Sequence, residues 1–387
     1  MTDHRFGSLR RLLARRASCL VPASIAALAL IYAPVTATAA APRCLTDCTP
    51  RIGIVSAFGE EARILVAETS GRRHHLVNGN RFTTGTLRGQ RVVIVLSGVS
   101  MINSTMVTQL MLAHFRIDRL VMSGIAGGLN PDHRIGDVTV PDRWAMPMEV
   151  YWHHDNTVPR PCGGDADVAC LGLRLARRDG RPFPPLELPA PSGAVPSGMF
   201  VRENFVMSRA TAPAGEFRFD YPVDRAMLEV VRTLKPMLAL CGPKAAAQAL
   251  EKSSAKSSER APGAAPDPAM CVRSQPRLLI GGRGVSGTAF VANPHYRRWL
   301  HEALQAETVE METAALAHVA HANSVPYIAF RSISDLAGGE AFDADAHALF
   351  VSGLAETNEA AVTLAFLEAW GHAKPRAATR VRSEGRP

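Results

Sequence analysis

The sequence predicts an α/β fold built on a largely parallel sheet, and three observations predict it. Short β-branched runs recur, at residues 51–57 (RIGIVSA), 91–96 (RVVIVL) and 325–333. Helical patterns separate them, as parallel strands require of their crossovers. The runs end in small residues, at Ser97-Gly98 and at Ser123-Gly124-Ile125-Ala126-Gly127-Gly128. In such sheets, ligand-contacting residues gather in loops at the carboxyl ends of the strands.

Taken in order, residues 1–39 stand outside the fold. Arg5, Arg10, Arg11, Arg15 and Arg16 precede an apolar run at 19–33, and Ala37-Thr38-Ala39 has the small-x-small pattern of a cleavage site. That order is a secretory signal peptide, so the mature chain is expected to be exported, periplasmic or secreted. An uncleaved anchor is the alternative. The run falls short of the ~20 residues a spanning helix needs, and Pro22 lies inside it. No stable membrane insertion is expected after processing.

The strand at 51–57 leads into a helix at 60–67. The strand at 91–96 is followed by a helix at 103–114. A third strand begins at 120–122 and runs into the glycine-rich stretch. Two segments interrupt the alternation. Residues 153–198 are rich in Pro, Gly and Arg, and residues 242–276 hold Ala-Pro and Lys-Ser runs. Both read as surface insertions. Regular structure resumes with a strand at 277–280. Asn293-Pro294 opens a helix, with Asn as cap and Pro in the first turn. Residues 308–323 read as helix, 325–333 as strand, and 345–370 as one or two closing helices. The expected organisation is one domain over 40–372, carrying the two insertions, with a disordered tail at 373–387.

Composition excludes some functions. The net charge of +8 includes five arginines and one aspartate within residues 1–39, which leaves +4 on the mature chain. No basic stripe interleaved with aromatics accompanies that mild excess, so no nucleic-acid partner is expected. Six cysteines remain after processing. Cys44–Cys48, Cys162–Cys170 and Cys241–Cys271 is the pairing chosen among the fifteen possible. Zinc-type spacing is absent, and no metal or other cofactor is expected. Gly282, Gly284 and Gly287 match G-x-G-x-x-G, but the next helix starts later, at Pro294. A dinucleotide site needs the motif to open the helix. These glycines therefore read as a flexible passage from strand to loop.

The densest constellation is VEMETAALAHVAHANSVPYIAFRSISD, residues 309–335. It resembles the signature of the methylthioadenosine/S-adenosylhomocysteine nucleosidases, within the nucleoside phosphorylase superfamily. RIGIVSAFGEEARIL, LSGVS, SGIAGGLNPDHRIGDVTVPD and GVSGTAFVAN resemble further parts of that family, in family order, over residues 51–370. The resemblance implies a three-layer α/β/α sandwich with a mixed, largely parallel sheet. It also implies a homodimer or higher homo-oligomer, and hydrolysis of the N-glycosidic bond of a purine nucleoside.

That chemistry needs an acid for the leaving base, stabilisation of a cation-like sugar, and an oriented nucleophile. Asp335, after the strand, fits the acid that protonates the purine. Glu312 is implied to hold the ribose hydroxyls, with Met311 against the sugar and Glu310 beside it. Glu61 aligns with the glutamate that activates water, and Ser97-Gly98 with the loop beside that water. Phe290 stacks on the base, and Val291 offers it backbone groups. Arg331 and Ser334 orient neighbouring carboxylates. Each assignment has a plainer alternative: Asp335 capping a turn, the Glu310/Glu312 pair complementing a helix dipole, Glu61 as a solvated first-turn residue, Arg331 as structural. His318 and His321 read as structural. The acidic pair Glu60-Glu61 disfavours a dianionic phosphate and so favours water over phosphorolysis. A phosphate-dependent phosphorylase and a non-catalytic nucleoside-binding protein remain the alternatives. Phe58-Gly59 departs from the Met-Glu usual in the family loop.

Overall fold

The sheet grows from strand β1 (Arg51–Ser56), buried from Ile52 onward. A parallel strand covered by helices on both faces reads as a continuous apolar run. β1 pairs in parallel with β4 (Gln90–Leu96) and with β5 (Ile117–Gly128). In this computed structural model the chain is described over residues 44–154, 157–158, 172–190, 193–196, 198–245, 268–338 and 344–373. The expected signal peptide, the Cys162–Cys170 pairing and the tail from 374 lie outside those residues.

Helix α1 (Gly59–Glu68) leads from β1 into an antiparallel hairpin of β2 (Ser70–Val77) and β3 (Asn80–Leu87), which joins β4. Sequence reasoning had missed this hairpin. Its signal was the Asn78-Gly79 dipeptide, whose φ values of 48° and 75° suit a tight turn between twisted strands. β2 is an edge strand, and its exposed Arg72, Arg73 and His74 guard it against pairing with other chains.

Helix α2 (Met101–His114) returns the chain to β5. The other edge of β5 takes β18 (Tyr327–Asp335) in parallel, in a register that sets Arg331 opposite Gly124. At Gly127 and Gly128, β5 also meets β17 (Ala306–Glu310), antiparallel. β17 continues through β16 (Arg283–Ser286) and β7 (Arg143–Ala145) to β14 (Asp220–Pro222). β6 (Val138–Val140) and β15 (Leu278–Ile280) extend from β18. The sheet is therefore mixed around a parallel centre. Helices α2 and α5 (Thr313–Ala322) pack together on one face, and α1 and α7 (Leu354–His372) on the other. Between β14 and α7 the chain also forms α3 (Arg225–Val231), α4 (Pro294–Leu304) and α6 (Ala344–Val351). The Asn293 side chain accepts from Tyr296 N at 2.9 Å and caps α4 as expected.

Three expectations need correction. Residues 308–310 are strand rather than helix. The β-branched Thr308 and Val309 pair with both β16 and β5, and α5 starts only at Thr313. The G-x-G-x-x-G stretch is not a flexible passage, since residues 283–286 form a fully buried strand. Gly284 is required there by close approach, because a β-carbon would stand 2.6 Å from the Trp144 ring. The insertions are not wholly superficial either. Leu186 joins Trp299, Leu300 and Leu304 in a second core cluster, and Met270 is buried. The Cys44–Cys48 and Cys241–Cys271 disulfides are both formed.

No helix among the described residues is long and apolar enough to cross a membrane. The main core runs between the sheet and α7, where Phe330 and Phe366 pack at 5.2 Å between ring centroids. Phe366→Ala is expected to cost about 3–5 kcal/mol of unfolding free energy. Urea denaturation measures it, and a loss under 1 kcal/mol, an order-of-magnitude bound, would contradict this view of the core.

Candidate active site

The carboxyl ends of β1, β4, β5 and β18 converge on one pocket. Phe58 and Glu61 come from the β1–α1 turn, and Val99 follows β4. Ile125 to Gly127 come from β5, and Ala289 to Val291 from the loop after β16. Met311 and Glu312 come from the β17–α5 turn, Ser334 and Asp335 from the end of β18, and Phe350 from α6.

Eight of the residues singled out from sequence line this pocket: Glu61, Phe290, Val291, Glu310, Met311, Glu312, Ser334 and Asp335. Three do not. Ser97 is buried beneath it, and its hydroxyl donates to the Gly98 carbonyl at 2.7 Å. Ser97 N and Gly98 N bond to Ser56 O and Ala57 O, so the pair zips the ends of β1 and β4 together. Arg331 is fully buried behind the carboxylates.

Arg331 organises the site. Its Nη2 bonds Glu310 Oε2 and lies 3.5 Å from Glu312 Oε2, while Nη1 lies 3.5 Å from Glu61 Oε1. Nε and Nη2 both donate to Thr313 Oγ1, and Nη1 donates to Ile125 O. Burial opposes its charge, but Glu310, Glu61 and Glu312 together outweigh that and hold the guanidinium above its ordinary value.

The three carboxylates are used differently. Glu310 accepts from Glu312 N at 2.9 Å, from Thr313 N at 3.0 Å and from the Ser286 hydroxyl. It thus caps the start of α5, and its oxygens are spent on backbone, Ser286 and Arg331. Glu61 accepts Ala57 N at 2.6 Å, Phe58 N at 3.3 Å and Ile125 N at 2.9 Å. Burial still pushes its carboxyl above the usual range, against the pull of Arg331 and those amides. Glu312 accepts only Ser100 N, at 2.8 Å, besides facing Arg331. Burial first, then the charge of Glu310, push Glu312 up to about 8. Ser100 aims its amide from a left-handed φ of 102°, a conformation that costs a non-glycine residue roughly 1–3 kcal/mol.

Asp335 closes the opposite wall. Its carboxylate accepts from the Ser334 hydroxyl and from Ala337 N, each at 2.8 Å. A β-carbon at Gly127 would come within 3.1 Å of Asp335 Oδ1, so the glycine keeps this acid accessible. Phe290 is 64% exposed at the mouth. His318 stacks on Tyr221, and His321 pairs with Glu216 at 2.8 Å; neither lines the pocket. Sequence reasoning missed Ile125, Thr313, Ser286, Ser100 and Phe350. The first and fourth act through backbone N–H groups, which residue type does not reveal. Among the described residues, no group of three or more His, Cys, Asp or Glu side chains is arranged to hold a metal ion.

A family model described as the phosphorylase superfamily matches residues 51–195 and 208–368. Among solved structures, the chain resembles a 5′-methylthioadenosine/S-adenosylhomocysteine nucleosidase from S. pneumoniae bound to a transition-state inhibitor. Identity is 22%, the match covers 83% of this chain and 99% of that one, and the TM-score is 0.52. The nucleosidase from Neisseria meningitidis in complex with methylthio-immucillin-A gives 18% identity, 82% and 99% coverage, and a TM-score of 0.51. An S-adenosylhomocysteine nucleosidase from Streptococcus pyogenes gives 21%, 84% and 98%, and 0.51. At these identities the likeness is one of fold.

The unequal use of Glu310 and Glu312 separates two variants. Glu310→Gln takes from Arg331 its closest counter-charge and is expected to destabilise the fold by about 3–5 kcal/mol. Glu312→Gln should not. A carboxyl whose folded pKa is raised stabilises the fold fully below its unfolded value of about 4.5 and loses that contribution as pH rises through about 8. Urea unfolding at a series of pH values should therefore show Glu312→Gln flattening the decline between those limits. An unchanged slope would contradict the assignment.

Proposed function

The chain belongs to the phosphorylase superfamily, and on that premise we propose that it is an N-glycosyl hydrolase. It splits the bond between base and ribose of a purine nucleoside of the adenosine or thioadenosine type, with water as nucleophile. One observation carries the choice of water. Among the described residues, those lining the pocket include Glu61, Glu310, Glu312 and Asp335 and no Lys, Arg or His. A phosphate dianion entering between these carboxylates meets uncompensated repulsion at low dielectric. A neutral water meets an acceptor in Glu61.

In this mechanism Glu61 accepts a proton from the attacking water. Three backbone amides fix its carboxylate for that task. Glu312 takes the ribose hydroxyls and faces the positive charge that develops as the bond to the base breaks. Met311 packs against the sugar. Asp335, oriented by Ser334 and by Ala337 N, protonates the departing purine. Phe290 and Val291 hold the base. Arg331 touches none of the reacting atoms and acts as a positioning residue for Glu61 and Glu312. Ser97 and Gly98 shape the loop that brings Val99 and the Ser100 amide to the site.

Two disulfides and the basic-apolar-small order of residues 1–39 support an exported enzyme, periplasmic or secreted, working on nucleosides outside the cytosol. A homo-oligomer with a single domain per chain over 40–372 completes the proposal.

The test uses the mature chain, residues 40–387, with methylthioadenosine, adenosine and inosine, quantifying free base with and without phosphate. Base release is expected to ignore phosphate. It should fall by about 10²–10⁴-fold in Glu61→Gln and in Asp335→Asn. Because burial raises the Glu61 carboxyl, the acid limb of kcat/KM should lie above the ordinary glutamate range and disappear in Glu61→Gln. Strict dependence on phosphate would make the protein a phosphorylase instead. Purine binding without any release would make it a binding protein.

A further inference from the structure

The second insertion is anchored at both ends. The Cys241–Cys271 disulfide joins those ends across 30 residues of sequence. Backbone bonds from Gly242 N to Met270 O and from Val272 N to Leu240 O tie the same two flanks. Both flanks lie against the junction between α6 and α7. A β-carbon at Gly242 would overlap the carbonyl and hydroxyl of Ser352, and Lys244 N donates to Ser352 O at 3.2 Å. Pro243 packs under Gly353, which takes φ 79°. Asn358, fully buried in α7, accepts from Ala239 N at 2.7 Å and donates to Ala239 O at 3.1 Å. On the other flank, the turn Pro268–Met270 packs on α6 with Met270 buried.

The clamp lies two residues from the pocket. Ser352 directly follows α6, its hydroxyl donating to Leu349 O at 2.7 Å. Phe350 of that last turn lines the pocket beside Phe58, Val99 and Met311. Whatever fixes Ser352 therefore fixes the wall that Phe350 forms.

We propose that the Cys241–Cys271 disulfide is a positioning element of the substrate pocket: it locks the base of the insertion onto the α6–α7 junction and so holds Phe350 in the pocket wall. The proposal rests on the hydrolase function above. A cross-link confines the two flanks even when their hydrogen bonds open. Without it, the flanks and α6 open as one local unit, while the sheet and its carboxylates stay in place. Substrate binding then weakens by the fraction of time α6 is seated, and the chemical step does not change. Cys44–Cys48 joins residues ahead of β1 and contributes nothing to this wall.

The experiment compares the wild-type mature chain with Cys241→Ser/Cys271→Ser, with Cys44→Ser/Cys48→Ser as control, and with Gly242→Val. The last keeps the bridge but forces the insertion off Ser352. Removing the bridge should raise KM for the nucleoside about three- to tenfold, with kcat within about twofold, because apparent affinity scales with the seated fraction. Amide exchange should quicken across α6 and not in β5 or β18. Gly242→Val should reproduce the same split through the lost Ser352 contact. If the double variant fails to fold, thiol reduction of the folded Cys44→Ser/Cys48→Ser protein decides, with faster exchange in α6 supporting the bridge's role and unchanged exchange overturning it. The control pair should leave KM where it is. Unchanged KM together with unchanged exchange in α6 would overturn the proposal. If the wild type releases no base at all, the hydrolase function fails. The exchange measurement then decides alone: lost protection in α6 supports the clamp, and retained protection overturns it.

Discussion

One buried guanidinium holds this site together. Arg331 has no solvent to share its charge, and three glutamates from three different elements reach it. Removing its closest partner, Glu310, costs about 3–5 kcal/mol, because the guanidinium loses its main compensation. The arrangement is decided by strand register. β18 pairs with β5 so that Arg331 stands opposite Gly124. A β-carbon on residue 124 would overlap both Arg331 Nη1 and Glu61 Oε1. The glycine-rich run of β5 is thus a demand of the charges around it, and the parallel centre of the sheet exists in the form that lets them meet.

The two glutamates of the VEMET stretch divide labour through backbone geometry. Glu310 ends a strand and Glu312 begins a helix, so the chain turns between them and their carboxylates fall on different neighbours. Glu310 satisfies the open amides of α5 and completes a structural ion pair. Glu312 receives one amide and a more distant guanidinium, and so keeps acceptor capacity facing the pocket. Two identical side chains, two residues apart, thus meet different partners, one with its oxygens spent and one with acceptor capacity left.

Much of this was legible in the sequence where residue type and spacing carry the physics. The strands at β1 and β4, the Asn293 cap and the Cys241–Cys271 pair follow from local patterns, and Glu310, Glu312 and Asp335, singled out from their motif, line one pocket. What was not legible depends on partners distant in sequence. Residues 308–310 run without a break into the helical stretch that follows, and their pairing with β5 and β16 makes them strand. Gly284 looks like a nucleotide-loop glycine, but it is there for the Trp144 ring. Ser97 has the residue type of a site serine, yet its hydroxyl is consumed by a neighbouring carbonyl. Ile125 contributes only its N–H to Glu61, which no side-chain pattern encodes.

The electrostatic balance of the pocket is itself an argument about its ligand. Glu61, Glu310 and Glu312 share one cation, and burial first, then the neighbouring charge of Glu310, hold Glu312 up at about 8. A fourth acid, Glu359, lies fully buried on α7 against Ser123, and burial pushes it far above the usual carboxylate range. Among the described residues one guanidinium faces three glutamates, and a substrate that excludes water sharpens that imbalance. An anionic co-substrate deepens it. In the proposed hydrolysis, a sugar that turns cation-like as its bond to the base breaks relieves it at the moment of reaction, when Glu312 gains the most from being ionised. Preorganised charge of this kind acts on the transition state more than on the ground state. In the proposed hydrolysis, the imbalance that the fold tolerates through Arg331 and Gly124 favours bond cleavage over mere binding.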